Sequence, residues 1–264
     1  MATGRTVAKY TRIYASTYKP GYITSLCGLT RSLGPLKVAF DEIDATGMCD
    51  NVKGYLPGQA SINPGPINVI LDPTAAGTTA SGQIAYMYPG QASGIALGTP
   101  MVMQIPIGIR AAPAAGDPCF SGIFPFQGMT YADDGGLVTV NFDLGDSADA
   151  TYIPALPRAW GQLLHAYGQE TAANSSAGID SGAASTNGGL MYLHLFATAG
   201  TTTFKVQHAD ANNDGDFADL TGASISGDFE GGYIATVPAG TAVKRYLRWQ
   251  MTAVTNTFVM SFVR

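Results

Sequence analysis

The most constraining feature of this sequence is a pair of apolar segments separated by a long stretch rich in glycine and proline. In residues 36–40, and again in residues 67–71, apolar side chains alternate along the chain, which is the period of a β-strand. Connections as long as the one between them are uncommon in a compact domain unless they have a function. The pattern therefore predicts β-structure built around one long and functional connection.

This connection, residues 46–66, carries large apolar side chains that it cannot bury by itself. Exposed apolar groups of this kind mark contacts with another surface. We therefore expect the connection to lie between subunits or between stacked rings of subunits. The interface candidates are Met48, Val52, Tyr55, Leu56 and Ile62.

The composition also favours self-association. Charged residues make up 12% of the 264 residues, against roughly 25% in an ordinary soluble domain. Because so few charges would solvate a monomer poorly, we expect copies of the chain to cover much of its surface. The net charge of -5 gives no basic footprint for nucleic acid.

Acidic residues are concentrated in one stretch. Residues 111–157 contain six aspartates and no lysine or arginine, and residues 54–109 carry a single charge, Asp72. Two interpretations remain open. The aspartates either occupy turns, or form an acidic surface that repels an anionic molecule.

The three cysteines, Cys27, Cys49 and Cys119, form no metal-binding pair and are interpreted as small buried apolar residues. The first ten residues lack the apolar segment of a signal peptide. The chain also lacks the long apolar run of a membrane span. We expect a protein made in the cytosol, without disulfides and without a membrane partner.

The rest of the chain predicts many short strands and no long helix. Residues 100–109 form a strand that Pro106 would confine to a sheet edge or to a bulge. Two hairpins are predicted, one around residues 132–136 and one around Ala199 and Gly200. An acidic, proline-ended linker at residues 143–157 indicates a domain boundary near residue 152. The second half has the evenly spaced strands of a β-sandwich.

Two groups of residues have the composition of possible metal sites. His194 and His208 would face each other across the second predicted hairpin, but no further ligand lies at metal spacing, so structural histidines are the simpler interpretation. Residues 210–216 match the first half of a calcium loop, with Asp219 as a late ligand, whereas position twelve is Thr221 rather than glutamate. The alternative is a polar turn, and we expect no tight calcium site. The possible ligands are Asp210, Asn212, Asp214, Asp216 and Asp219.

No nucleophile motif, phosphate-binding loop or dinucleotide glycine pattern is present in the sequence. We therefore expect no catalytic residues, no cofactor and no enzymatic activity.

The first half resembles the major tail tube proteins of long-tailed bacteriophages. The similarity lies in the strand VAFDEID at residues 38–44, the long loop after it, the strand at residues 67–71 and the hairpin at residues 129–142. The second half resembles β-sandwich modules at the C-terminus of phage tail proteins. There the similar segments are WGQLLH at residues 160–165, VQH at 206–208, FADL at 217–220 and RYLR at 245–248.

The resemblance implies an all-β chain with two domains. Residues 1–152 would form a tail-tube-like β-sandwich or half-barrel, and residues 153–264 an immunoglobulin-like or jelly-roll sandwich on the tube exterior. The chain would be a structural virion protein that assembles in the host cytoplasm into stacked rings, expected to be hexameric. Its partners would be further copies, other tail proteins such as the tape measure, and DNA only in transit.

In such a tube we expect an acidic or neutral bore. DNA carries one negative charge per roughly 1.7 Å of duplex, so basic residues would retain it and carboxylates would let it slide. The candidates for the bore are Asp41, Glu42, Asp44, Asp143 and Asp146.

Two rival functions remain open. One is a decoration module whose C-terminal sandwich recognises surface glycan or another virion protein, and the other is a capsid decoration protein. Clustered surface aromatic residues would favour glycan recognition, but Tyr192, Tyr233 and Trp249 are predicted to be embedded in strands.

Overall fold

The structure is a computed structural model that describes residues 10–18, 23–25, 30–44, 55–70, 95–109, 111–146 and 159–264. These ranges are built of antiparallel β-strands and contain no α-helix, which confirms the all-β class. The strands are β1 (Tyr14–Thr17), β2 (Ile23–Ser25), β3 (Thr30–Leu33), β4 (Lys37–Asp44), β5 (Tyr55–Asn63), β6 (Ile67–Ile70), β7 (Pro100–Pro106), β8 (Pro118–Asp134), β9 (Leu137–Leu144), β10 (Trp160–Glu170), β11 (Asn174–Ser175), β12 (Ile179–Asp180), β13 (Gly189–Thr198), β14 (Thr202–Ala209), β15 (Ala218–Gly227), β16 (Gly231–Val237), β17 (Tyr246–Met251) and β18 (Asn256–Val263).

The N-terminal half is two layers joined by the long strand β8. The first part of β8 pairs with β7, and its second part, from Phe126, pairs with β9. A register shift between Phe126 and Gly128 marks the point where β8 passes from one layer to the other. The layer β3-β6-β9 therefore packs over β7 and β1, and a core rich in phenylalanine, isoleucine and methionine fills the space between them.

The C-terminal half is a sandwich with its own core. One layer consists of β16, β13, β18 and β10, and the other of β11, β12, β17, β14 and β15. Phe204, Trp249 and Phe258 lie in the core between these layers, and all three are buried. The alternation of strand side chains places one face of each strand in this core.

The two halves share one sheet, which curls until its ends meet. Its strand order is β16-β13-β18-β10-β8-β7-β1-β2, so β8 and β10 join the halves side by side, with Phe120 opposite Trp160. Tyr18, next to β1, forms an isolated parallel bridge to Gly232 in β16. A glycine is needed there, because a Cβ at position 232 would overlap the Ser16 hydroxyl.

This curling encloses two smaller buried clusters, here together called the central face. It contains side chains from both halves that point away from the two larger cores. They are Tyr14, Val102, Cys119, Leu163, Leu190, Tyr192, Val259 and Val263. Polar contacts also cross it, since the Ser121 and Ser261 hydroxyls are 2.9 Å apart.

The two halves have separate cores but share one sheet, which concerns the predicted domain boundary. One large core uses residues up to Ala159, and the other begins at Leu164. The boundary near residue 152 lies outside the described residues. The division into residues 1–152 and 153–264 therefore remains a prediction, and the halves it separates bury a common face.

Several features of the strands differ from the sequence expectations. The second part of the predicted connection is strand β5, and the sequence did not predict β2, β3, β11, β12 or β15. Strand β7 is not at an edge, because it pairs with both β1 and β8 and Pro106 is its last residue. The hairpin predicted around Gly200 is wrong: β13 and β14 belong to different layers, and the turn is a crossover between them. The possible short element at residues 83–88 lies outside the described residues.

Candidate functional site

The hairpin β4–β5 leaves the N-terminal layer through a narrow neck. The β3–β6 ladder ends where Leu33 pairs with Ile67, and the Gly34 amide then donates to the Pro66 carbonyl over 2.8 Å. A Cβ on Gly34 would lie 2.6 Å from Pro66 Cδ, and Gly65 has a φ of 65°. Both glycines are therefore required, since only glycine permits this close approach and this backbone conformation.

Asn63 fixes the base of the hairpin to the end of β9. Its Nδ2 donates to the Leu144 carbonyl over 3.4 Å and to Asp146 Oδ1 over 3.1 Å. Its Oδ1 accepts the Gly65 amide over 2.6 Å, which closes a tight local turn. One side chain thus binds both the neck and the neighbouring strand, so the hairpin leaves the core in a defined direction.

Beyond the neck, β4 and β5 form a ribbon of two strands. The ladder runs from Lys37 opposite Asn63 to Asp44 opposite Tyr55 and has a register shift after Phe40. At about 3.3 Å per residue, the ribbon is roughly 25 Å long. Among the described strands, β4 and β5 pair only with each other. A two-stranded hairpin is marginally stable in water, so a ribbon of this length needs further contacts.

The interface candidates divide between this ribbon and the core. Met48 and Val52 lie outside the described residues, and Tyr55 and Leu56 are the first two residues of β5. Ile62, by contrast, is buried in the N-terminal core with 3% of its surface exposed. Burying such a side chain contributes about 1.5–3 kcal/mol to folding, so Ile62 belongs to the root of the ribbon.

The bore candidates lie along the ribbon or at its root. Asp41, Glu42 and Asp44 belong to the far half of β4, and Asp44 is exposed. Asp143 is half-buried on β9, and Asp146 is the exposed partner of Asn63. The bore candidates thus lie at two places, on the far half of β4 and at the root of the ribbon.

The predicted pair of histidines does not form. His194 lies in β13 on the central face and is fully buried, whereas His208 lies in β14 in the other layer. His194 Nε2 donates to the Val102 carbonyl over 3.1 Å, and its Nδ1 has no partner among the described residues. Burial lowers the pKa of His194 to about 3, so the ring is neutral at physiological pH.

The third histidine is also structural. His165 Nδ1 donates to the Phe258 carbonyl, and its ring stacks on Phe258 with centroids 4.0 Å apart. Nε2 is 3.1 Å from Glu170 Oε1. Burial lowers the pKa of His165, and the hydrogen bond to Glu170 partly opposes this effect.

The carboxylates of the calcium-like turn point to different basic partners. Asp210 pairs with Lys244 over 2.9 Å, and Asp219 pairs with Lys205 over 2.6 Å. Asp214 accepts a 2.7 Å hydrogen bond from Arg248. Among the described residues, no three acidic, histidine or cysteine side chains converge as metal ligands.

The guanidinium of Arg248 is nearly buried and makes several contacts in this region. It is 8% exposed, donates from Nε to Gln207 Oε1 over 2.8 Å, and lies 4.2 Å above the Phe217 ring. Such a stacked and hydrogen-bonded guanidinium stabilises the turn from the strand beneath it. The turn 210–219 is thus tied to β14 and β17 by side chains that would otherwise be free for a metal ion.

Cys119 fits its sequence interpretation as a buried apolar residue. It is fully buried on the central face, and burial raises the pKa of its thiol to about 11. Since the thiolate is the nucleophile, this thiol is unreactive at neutral pH. Cys27 and Cys49 lie outside the described residues.

The aromatic residues considered for glycan recognition are embedded, as the sequence predicts. Tyr192, Trp249 and Tyr233 are 0%, 4% and 7% exposed. Other aromatic side chains are at the surface, among them Trp160 and Phe229. The described part of the chain has no helix with the length and hydrophobicity needed to cross a bilayer.

Comparison with known proteins gave matches only among solved structures. No family model matches the chain, and no curated protein does. The chain is similar to the SPP1 Dit protein, described as a paradigm of the hub adsorption apparatus in phages that infect Gram-positive hosts, with 9% identity, a TM-score of 0.29, and 96% of this chain and 98% of that chain covered. It is also similar to a chain of the phage P2 baseplate in its activated conformation with Ca, with 8% identity, a TM-score of 0.34 and the same two coverages.

Proposed function

We propose that this chain is a structural protein of a phage tail that assembles with copies of itself. The observation that carries the proposal is the β4–β5 ribbon, which is firmly rooted at Asn63 and has no strand partner among the described residues. Exposed strand edges pair readily with other chains. The low charge content gives independent support, because a surface poor in charge is suited to burial between copies.

In its finer form, the proposal is that the copies form stacked rings, expected to be hexameric, and that these rings build the tail tube through which DNA passes. The sequence resemblance supports this form. The tape measure and other tail proteins would be its neighbours in the virion, and its role would be structural rather than catalytic.

The carboxylates of the ribbon add an electrostatic part to the proposal. Repeated around a ring, the carboxylates on β4 and at its root would form an acidic band facing the bore. DNA would pass such a wall without the counterion release that retains it on basic surfaces. A bore lined mainly by Lys37, Lys53 or Arg110 would contradict this part of the proposal.

Electron microscopy of the purified protein and of a ribbon-shortened variant tests the proposal. In the variant, Asn-Gly replaces residues 41–59 and joins Phe40 to Ala60, which are paired across the ladder, so that Ile62 and Asn63 keep their roles. We expect rings or tubes from the natural chain and a folded monomer from the variant. Gly135→Asn is the matched control, because it creates the same Asn-Gly turn in the β8–β9 hairpin, where position 135 has a φ of 65°.

Either of two outcomes would overturn the proposal. One is a natural chain that stays monomeric at all concentrations in analytical ultracentrifugation. The other is a ribbon-shortened variant that still forms tubes, which would move the interface elsewhere. A map of the tubes would in addition show whether Asp41, Glu42 and Asp44 face the bore.

A further inference from the structure

A notch lies where the two layers of the C-terminal sandwich end side by side. Strand β15 is the last strand of one layer and β16 the last strand of the other, and the turn between them, residues 228–230, crosses from layer to layer. The notch has a volume of about 390 Å³. This volume lies within the range of small-molecule pockets, about 300–1,000 Å³.

One wall of the notch is an exposed aromatic ring held in place by its own turn. Phe229 is 57% exposed, and its carbonyl accepts a 2.6 Å hydrogen bond from the Tyr233 hydroxyl. Ile225 and Tyr233 also line the notch, and they are 6% and 7% exposed. A single exposed aromatic residue is ordinary on a protein surface. Phe229 is distinguished because it lines the same notch as the buried Ile225 and Tyr233, on a turn whose backbone carbonyl accepts the Tyr233 hydroxyl.

The rest of the lining consists of the partly buried Ile234 and of polar residues, and it carries no positive charge. Ser224 and Ser226 are exposed on β15 and supply hydroxyl groups, and Asp228 supplies a carboxylate. Glu230, which is exposed on the same turn, adds a second negative charge nearby. Hydroxyls both donate and accept hydrogen bonds, and an ionised carboxylate only accepts them. A matching ligand offers hydroxyl donors and carries no negative charge of its own.

From these features we propose that the notch binds a neutral saccharide, with one sugar ring stacked on Phe229. The apolar face of a pyranose ring covers an aromatic side chain, while its hydroxyls reach Ser224, Ser226 and Asp228. The acidic residues repel uronates and phosphorylated sugars. The site does not depend on the assembly proposed above, since every lining residue belongs to one copy of the chain.

Saturation-transfer NMR on the full chain tests the proposal, with methyl glucoside, methyl galactoside and N-acetylglucosamine as probes and glucuronate as the anionic comparison. We expect saturation of ring protons of at least one neutral sugar and little for glucuronate. Phe229→Ala should weaken binding about tenfold, which is the order of one aromatic stacking contact. Phe229→Tyr should retain binding. Tyr167→Ala removes an equally exposed aromatic residue elsewhere and serves as the control.

Three results would overturn the proposal. They are the absence of binding by every neutral sugar, binding that is unchanged in Phe229→Ala, and binding of a lysine-rich peptide alone, which would indicate a cationic ligand for the same carboxylates. None of these results bears on whether rings form. Equally, a chain that fails to form rings leaves the sugar measurement interpretable, since all residues lining the notch belong to a single copy.

Discussion

At the scale of single residues, His194 shows how burial controls a charge. Its ring lies on the central face between the halves, with one nitrogen bonded to a backbone carbonyl and the other without a partner among the described residues. Protonating it there would place an unpaired cation among apolar side chains. The neutral ring is therefore part of what holds the halves together.

This gives a prediction for the pH dependence of stability. The pKa of His194 is lowered from 6.5 to about 3 in the folded chain, so the unfolded chain takes up the proton first as the pH falls. Its contribution to stability is complete above pH 6.5 and is lost between pH 6.5 and about 3, by about 1.4 kcal/mol per pH unit. Urea denaturation across this range should show a shallower pH dependence for His194→Gln, which keeps a side-chain N–H donor.

The difference in unfolding free energy between the natural chain and His194→Gln reports on His194 alone. His165 and His208, whose pKa values burial also lowers, are present in both chains. Parallel stability curves for the two chains between pH 6.5 and 4 would show that His194 is not buried as described.

At the scale of elements, the acidic turn after β14 illustrates how a motif can match a site and yet be used otherwise. Its spacing matches half a calcium loop, but Asp214 binds Arg248, and its neighbours bind Lys244 and Lys205. A calcium ion would have to displace a guanidinium that is itself almost buried. We therefore expect isothermal titration of the full chain to show no micromolar calcium site.

The same contacts predict unequal effects of two substitutions. Asp214→Ala should change the free energy of unfolding by less than about 1 kcal/mol, because the carboxylate is exposed. Arg248→Ala should cost on the order of 2 kcal/mol, because Gln207 loses a charge-assisted hydrogen bond in a buried setting. Calcium binding at micromolar concentration that disappears in Asp214→Ala would overturn this assignment.

Elements with an unbroken period of two could be predicted from the sequence. Strands β4 and β6 and the β8–β9 hairpin lie where alternation and turn residues agree. Strand β5 was missed because Pro57 and Gly58 interrupt its pattern, although the ladder accommodates Pro57 next to a register shift. Turn residues correctly predicted a tight connection between β13 and β14. They did not predict which strands β13 and β14 pair with, because a tight turn does not determine whether its flanking strands pair.

The candidate sites were predictable to different degrees. The apolar connection and its carboxylates could be singled out because they combine long length, glycine and large side chains. Phe229 was missed, since one aromatic residue in a polar turn has no periodic signal. The available signal was local: an aromatic residue between two acids, followed by Gly231 and Gly232, where two strands meet.

At the scale of the whole molecule, the shared central face makes a prediction about separated halves. A fragment comprising residues 159–264 retains both layers of its sandwich. In it, Leu190, Tyr192 and Val263 are no longer covered by the first half of the chain. We expect it to keep native β-structure by circular dichroism, to bind a hydrophobic dye and to self-associate. The full chain is the control. A monomeric fragment with unchanged thermal stability and no dye binding would show that the halves are independent domains.

The bridge between Tyr18 and Gly232 has a consequence for the order in which the chain folds. Residues more than two hundred positions apart must meet before the curled sheet is complete, and pairings so distant in sequence slow folding. During synthesis, β7 and β8 emerge well before β10 and β18. The side chains that the first half contributes to the central face therefore stay exposed until β18 has been made. Closure of the curled sheet then comes late, and a chain that has not closed would expose the apolar side chains of the central face.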